Sequence, residues 1–308
     1  MVGFMEWLFF IIGIGMIIKV LLNFCHSLTI LFAKTDFSEY GYNSWALVTG
    51  ASDGLGLAIS EFLASQGFNI ILIGRNQEKL TKVSGQLKEK YPIQIKIIVK
   101  DFSVSSANPQ TFFLDIKEQT KNLDVSILVN NVGSGAGANC FASLAEERVL
   151  WANAINLWPA VFLTKLYLPD MTLRKNRSAV INITSSLALV KLPKCSVYCA
   201  SKGFMHSFSM IVAEEAKYLS SKNKGRLDVM SVLPSCIDTQ MIKMREIKPL
   251  LVNPYDCAFW ICKSIGSVSY TGGHWKHEYF YLLWTLFGSF SFQLINIFAR
   301  LLKNKSFY

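Results

Sequence analysis

At 308 residues the chain is long enough for one large α/β domain with additions, since single cores stop growing at about 250–300 residues. Hydrophobic residues make up 51% and charged residues only 17%, below the roughly 25% charged share of ordinary soluble domains, so part of the chain is expected in lipid. The net charge of +10 comes from scattered Lys and Arg with no basic block interleaved with aromatics, which excludes a dedicated nucleic-acid binder and suits anionic headgroups or a polyanionic small molecule.

Residues 7–33 come first, apolar or Gly from Trp7 to Ile18, with Lys19, Asn23 and His26 as the polar interruptions. About 20 helical residues cross the hydrocarbon core, so the stretch is long enough to span with tilt. Lys19 costs about 2.5–3.5 kcal/mol at a helix centre, and the Leu, Ile and Phe around it offset that at about 0.3–0.6 kcal/mol each. A cleaved signal peptide would want a basic start and a small-residue cleavage site, whereas Glu6 and bulky residues stand here, so a retained anchor is expected over 1–42. No Lys or Arg precedes it and Lys34 follows, which places the remainder of the chain on the cytosolic side by the positive-inside bias.

From residue 43 onward, apolar runs ending at Thr49, Ile73, Val99, Val129, Thr184 and Leu233 alternate with amphipathic segments of helical length such as 54–66, 76–90 and 195–220. This rhythm predicts a doubly wound parallel sheet of Rossmann type, α/β in class, over 43–275. The tail, 276–308, carries an uncharged apolar stretch at 279–299. A second span would strand Lys303 and Lys305 on the far side, so this segment is expected to lie in the membrane interface. The seven cysteines form no C-x-x-C pair and fit a reduced compartment, and His274 and His277 lack the partners of a zinc site, so no metal is expected.

The chemistry begins directly after the first predicted strand. Thr49, Gly50, Ser52, Asp53, Gly54, Leu55 and Gly56 form a glycine loop leading into a helix, the setting in which such a loop binds a pyrophosphate at a positive helix end. The second strand ends at Gly74-Arg75-Asn76 with no acidic residue before Glu78, and an Arg there accommodates the 2′-phosphate of NADPH where a carboxylate would hold the ribose of NADH. Asp101 and Asn130 follow the third and fourth strands, at the crevice where such sheets bind ligands, and are candidates for the adenine side.

Tyr198 and Lys202 stand four apart at the start of a predicted helix, on one face. A phenol titrating near 10 needs a nearby cation to work as a proton donor and acceptor at neutral pH, and Lys202 supplies it. Ser185, thirteen residues before Tyr198 at a strand end, offers a hydroxyl to a substrate carbonyl oxygen.

These residues, with Asn130-Asn131-Val132-Gly133 and Asn156, give the T-G-x-x-x-G-x-G and Y-x-x-x-K marks in order, and the chain resembles the classical short-chain dehydrogenases/reductases over about 43–275. The resemblance implies Tyr198 as general acid, Lys202 on the ribose, Ser185 on the carbonyl, Asn156 holding a relay water and Thr239 at the nicotinamide carboxamide. T-G-A-S-D-G, N-N-V-G and the N-terminal apolar segment further resemble the very-long-chain 3-oxoacyl-CoA reductase and 17β-hydroxysteroid dehydrogenase branch, whose members sit in the endoplasmic reticulum. Cys199 and Pro234-Ser235 depart from the usual Ser and Pro-Gly.

The implied activity is NADPH-dependent reduction of a 3-oxoacyl-CoA in fatty-acid elongation, at the reticulum membrane with the catalytic domain facing the cytosol. Lys243, Arg245 and Lys248 are candidates for CoA phosphates. Partners to consider are the membrane, a second copy of the chain and other elongase components. Two alternatives stay open: a keto-steroid substrate on the same chemistry, and a catalytically inactive membrane or lipid-droplet scaffold.

Overall fold

A computed structural model describes residues 2–279 apart from 106, 136, 138, 191, 224 and 240–250. Lys243, Arg245 and Lys248, and all of 279–299 beyond Tyr279, lie outside the described residues.

The apolar runs pair into one parallel sheet. Its strands are β1 (Trp45–Thr49), β2 (Asn69–Gly74), β3 (Ile95–Val99), β4 (Val125–Asn130), β5 (Ser178–Ile183), β6 (Leu227–Val232) and β7 (Tyr270–Thr271), in the order β3-β2-β1-β4-β5-β6-β7. β2, β4 and β5 are buried at every residue, as continuous Ile, Val and Leu runs between two helical layers must be.

Successive side chains serve opposite faces. Val48, Leu72, Val129 and Ile181 join a core with α2 (Gly54–Ser65), α3 (Gln77–Lys90) and α8 (Pro254–Lys263). Leu47, Ile71, Leu128 and Val180 join the other core, with α4 (Pro109–Gln119), α5 (Glu146–Asn156), α6 (Trp158–Leu173) and α7 (Ser196–Asn223). Because β1 pairs with β2 on one side and β4 on the other, the strand order reverses between β1 and β4, and the crevice opens at their C-terminal ends.

α1 runs unbroken over Val2–Phe32. From Met5 to Leu22 its large apolar side chains are exposed, and it is the one helix among the described residues long and apolar enough to cross a membrane. Its last turns behave differently. His26 stacks on Tyr270 at 4.1 Å, Ile30 is buried, and the Lys263 ammonium donates to the Leu31 carbonyl at 2.8 Å. Thr35 follows, its hydroxyl 2.9 Å from the carbonyls of both Cys262 and Ile265.

Within the expected lipid segment of 7–33, His26 and Ile30 thus pack against the domain. The chain also continues to pack past 275, where the tail was expected to begin. Glu278 is buried and accepts from the Thr271 hydroxyl at 2.6 Å and from the Gly272 N–H, so the folded unit continues through it.

At the opposite, N-terminal end of the strands, a closed charge network ties the linker down. Arg177 reaches Asp228 through two nitrogens at 3.0 and 2.9 Å and Glu39 at 2.6 Å, while the Tyr40 hydroxyl donates to Asp228 at 2.7 Å. Burial works against the Arg177 charge, but its bonds to Asp228 and Glu39 outweigh it and hold the guanidinium more firmly protonated than usual.

Candidate active site

The glycine loop is built against the end of β4. The Thr49 hydroxyl accepts from the N–H groups of Asn131 at 2.9 Å and Val132 at 3.0 Å, and the Asn131 amide donates to the Thr49 carbonyl at 2.9 Å. A Cβ at Gly56 would fall 2.3 Å from the Gly50 carbonyl oxygen, so only glycine lets α2 start this close to the loop. Asp53 caps α2, accepting from Gly54 N–H at 2.7 Å, and pairs with Lys79 at 3.4 Å. Leu55 is buried beneath the turn. The result is a tight turn with a helix N-terminus behind it, which can hold a pyrophosphate.

Ser52 lies beside the end of β2, where Arg75 follows. The Ser52 hydroxyl lies 3.6 Å from where a Cβ of Gly74 would stand, and the next residue, Arg75, is exposed with no ion-pair partner among the described residues. Asp101 accepts from Ser103 N–H at 2.9 Å and so shapes the turn after β3. The Thr239 methyl rests 3.0 Å from the Cβ position of Gly54, bringing the segment after β6 over the glycine loop.

Asn130 differs from expectation. Its side chain is buried and donates to Asn182 at 2.8 Å and Thr164 at 3.2 Å, inside the helical layer and not toward the crevice. Its neighbour Asn131 is the one that braces the loop. Strand alternation is the signal that could have separated them, because adjacent residues at a strand end point to opposite sides.

Ser185, Tyr198 and Lys202 converge beyond β5. Ser185 is the last extended residue before a short 3-10 turn, which its hydroxyl caps by accepting from Leu187 N–H at 3.2 Å. The same side chain acts on the Tyr198 phenol against the effect of its burial. Lys202, one turn along α7 from Tyr198, is 4% exposed and donates to the Ile183 carbonyl at 3.0 Å. Its ammonium is 5.8 Å from the Tyr198 ring centroid.

Burial raises the phenol above its ordinary range, and Ser185 only partly opposes this. The expected lowering of Tyr198 by Lys202 is therefore not what dominates here; the buried phenol stays protonated, as a proton donor must. Burial also lowers the Lys202 ammonium from 10.5 to about 8. No described carboxylate pairs with it, so this is a buried cation without a counter-charge.

Gly133 makes the approach of the partners feasible. A Cβ there would lie 3.0 Å from Asn156 Oδ1 and 3.1 Å from Lys202 Nζ. The Asn156 amide is occupied on both sides by Ser134, accepting from its N–H and donating to its carbonyl at 2.9 Å each. Sequence reasoning gave no role to His277, whose Nδ1 accepts from the Ser235 N–H at 3.4 Å and so steadies the segment leaving β6.

A doubly wound sheet with a phosphate-type loop and a buried ammonium one helical turn from a buried phenol at one crevice defines a dinucleotide-dependent oxidoreductase architecture. The family model for short chain dehydrogenases matches residues 44–249, and the chain belongs to that family.

Among curated proteins it is 34% identical over 242 residues to the human inactive hydroxysteroid dehydrogenase-like protein 1, covering 77% of this chain and 70% of that one. It is 32% identical over 285 residues to the human very-long-chain 3-oxoacyl-CoA reductase, covering 89% and 86%. Among solved structures, a short-chain dehydrogenase from Sphingobium yanoikuyae in complex with NADPH shares the fold with a TM-score of 0.61 at 20% identity, over 70% of this chain and 82% of that one.

Proposed function

We propose that the chain is an NADPH-dependent carbonyl reductase anchored in a membrane by α1, with a 3-oxoacyl-CoA as its substrate. The observation that carries the reductase reading is the buried Lys202 ammonium, without a carboxylate partner among the described residues, 5.8 Å from the Tyr198 ring centroid one helical turn away. When bound, NADPH supplies the hydride that reduces the carbonyl carbon.

The chain's own groups do the rest. The Ser185 hydroxyl orients the carbonyl oxygen, and Tyr198 delivers its proton to that oxygen as charge develops there. Lys202 donates to the cofactor ribose while its charge favours the phenolate left behind. Ser52 and Arg75 fit a 2′-phosphate, because a hydroxyl lies beside the β2 terminus and an exposed guanidinium without an ion-pair partner among the described residues follows it, with no acidic residue before Glu78. Gly50, Gly54 and Gly56 would cradle the pyrophosphate, Thr239 would serve the carboxamide, and Asp101 and the end of β4 would serve the adenine side.

The name of the reductase relative, matched over most of both chains, favours an acyl-CoA substrate. The relative named inactive favours a chain without catalysis. Against that second reading stand Ser185, Tyr198 and Lys202, all present and in mutual reach.

Side-by-side kinetics of the full chain test the substrate. A 3-oxoacyl-CoA should be reduced with kcat/KM at least about tenfold above a 17-keto-steroid, as each tenfold corresponds to about 1.4 kcal/mol of differential transition-state binding. A faster steroid reaction would reverse the assignment.

A further inference from the structure

The last turns of α1, the C-terminal half of α8 and the helical turn at 275–279 meet on one outer face of the domain. That face carries a band of rings and ammonium groups. Phe259 and Trp260 stand on α8 with Lys263 one turn on, its Nζ 3.7 Å from the Trp260 ring centroid and 5.9 Å from that of Phe259. Trp260 meets His274 at 5.8 Å, and His274 meets Trp275 at 5.7 Å, with Lys276 Nζ 5.9 Å from the Trp275 ring. Phe259, Trp275 and Tyr279 are each about half or more exposed, at 49%, 53% and 61%.

An aromatic band of this size on a water-soluble face would be unexplained. Its setting explains it. Lys263 also donates to the Leu31 carbonyl, so the band begins at the foot of α1, beside the exposed Leu31 and Phe32. Trp and Tyr favour the bilayer interface because one part of the ring system is apolar and the other can hydrogen-bond, and Lys there keeps its stem in the apolar layer and its charge at the phosphates. Asp256 is the exposed acid on the same helix, one turn from Trp260 and Phe259; it leaves two Lys against one carboxylate.

We infer that this band is a second membrane contact: the headgroup layer of an anionic bilayer covers Phe259, Trp260, Lys263, Trp275, Lys276 and Tyr279. The inference rests on reading α1 as the bilayer anchor and goes beyond it. A helix inserted alone would leave the domain free to tilt, whereas the docked foot of α1 together with the band fixes which face of the domain meets the lipid. The occupant is the bilayer that α1 enters, because the band is continuous with the apolar surface of that helix.

The test uses the full chain in vesicles of phosphatidylcholine and phosphatidylserine, with brominated lipids as depth-specific quenchers of tryptophan fluorescence. Trp275→Phe and Trp7→Phe each replace one exposed ring, so subtraction from the unaltered protein isolates each contribution without threatening the fold.

The Trp275 component should be quenched most by bromines near the headgroups and shielded from aqueous acrylamide. The Trp7 component should be quenched most by bromines near the chain ends. Loss of Trp275 fluorescence to acrylamide with no response to any bromine, while Trp7 responds, would overturn the inference and leave the anchor standing. Shielding of Trp275 from both quenchers would mean that a second copy or another protein covers the band, and would overturn it too. Failure of Trp7 to respond to any bromine would instead overturn the anchor reading.

Discussion

The two ends of the sheet handle buried cations in opposite ways. At the N-terminal end Arg177 is matched by Asp228 and Glu39, with Tyr40 completing the set, and every member faces another. At the C-terminal end Lys202 is more deeply buried and has only the Ile183 carbonyl as a partner among the described residues. A buried charge costs stability unless it is paired. One end therefore holds the structure together, and the other keeps a charge unmatched, which makes sense only if a ligand is to use it.

The largest effect should follow from removing the unmatched charge. Lys202→Met is expected to lower turnover about a hundredfold or more and to weaken NADPH binding, yet leave thermal stability equal or higher, because a desolvated ammonium is replaced by an apolar side chain of similar length. A clear drop in melting temperature would break the contrast between the two ends. Next in size, Asp228→Asn should destabilise the fold by about 1.5–3 kcal/mol, the range for a hydrogen-bonded charge, in denaturant titrations. Its kcat should stay within a few-fold of the unaltered enzyme.

The pH dependence sharpens the same comparison. The folded pKa of Lys202, about 8, lies below its ordinary 10.5, so between these values the unfolded chain binds more proton than the folded one. Its penalty is fully present below about pH 8 and is relieved as pH rises toward 10.5, so the unaltered protein should gain stability relative to Lys202→Met across that window. NADPH affinity should fall over the same range as the ammonium loses its charge. A flat difference would place the Lys202 pKa elsewhere. Smallest is the change at the exposed rim: Arg75→Asp should weaken NADPH by about tenfold and strengthen NADH, measured as a ratio of dissociation constants.

What the sequence made legible was local. The glycine loop, Arg75 at a strand end and the Tyr198–Lys202 spacing are each encoded within a few residues, where backbone geometry dictates what can face what. For Asn130, being at a strand end says nothing about which way its side chain points, and Asn182 and Thr164, which hold that side chain inward, come from β5 and α6. β7 has only two residues, too short for a period-2 signal, and its place beside β6 depends on α8 crossing over between them. Asn23 and His26 were visible as polar interruptions of the apolar run. That His26 marks where α1 begins to pack on the domain depends on Tyr270, more than two hundred residues away.

The most direct test of the central claim compares the unaltered full chain with Tyr198→Phe under saturating NADPH and a 3-oxoacyl-CoA, following loss of the reduced nicotinamide absorbance. Turnover in the unaltered protein that falls by about a hundredfold or more in the variant, with NADPH still bound by both, is the predicted result. Equal rates in the two proteins, or NADPH binding without turnover of either the acyl-CoA or a keto-steroid by the unaltered chain, would contradict it.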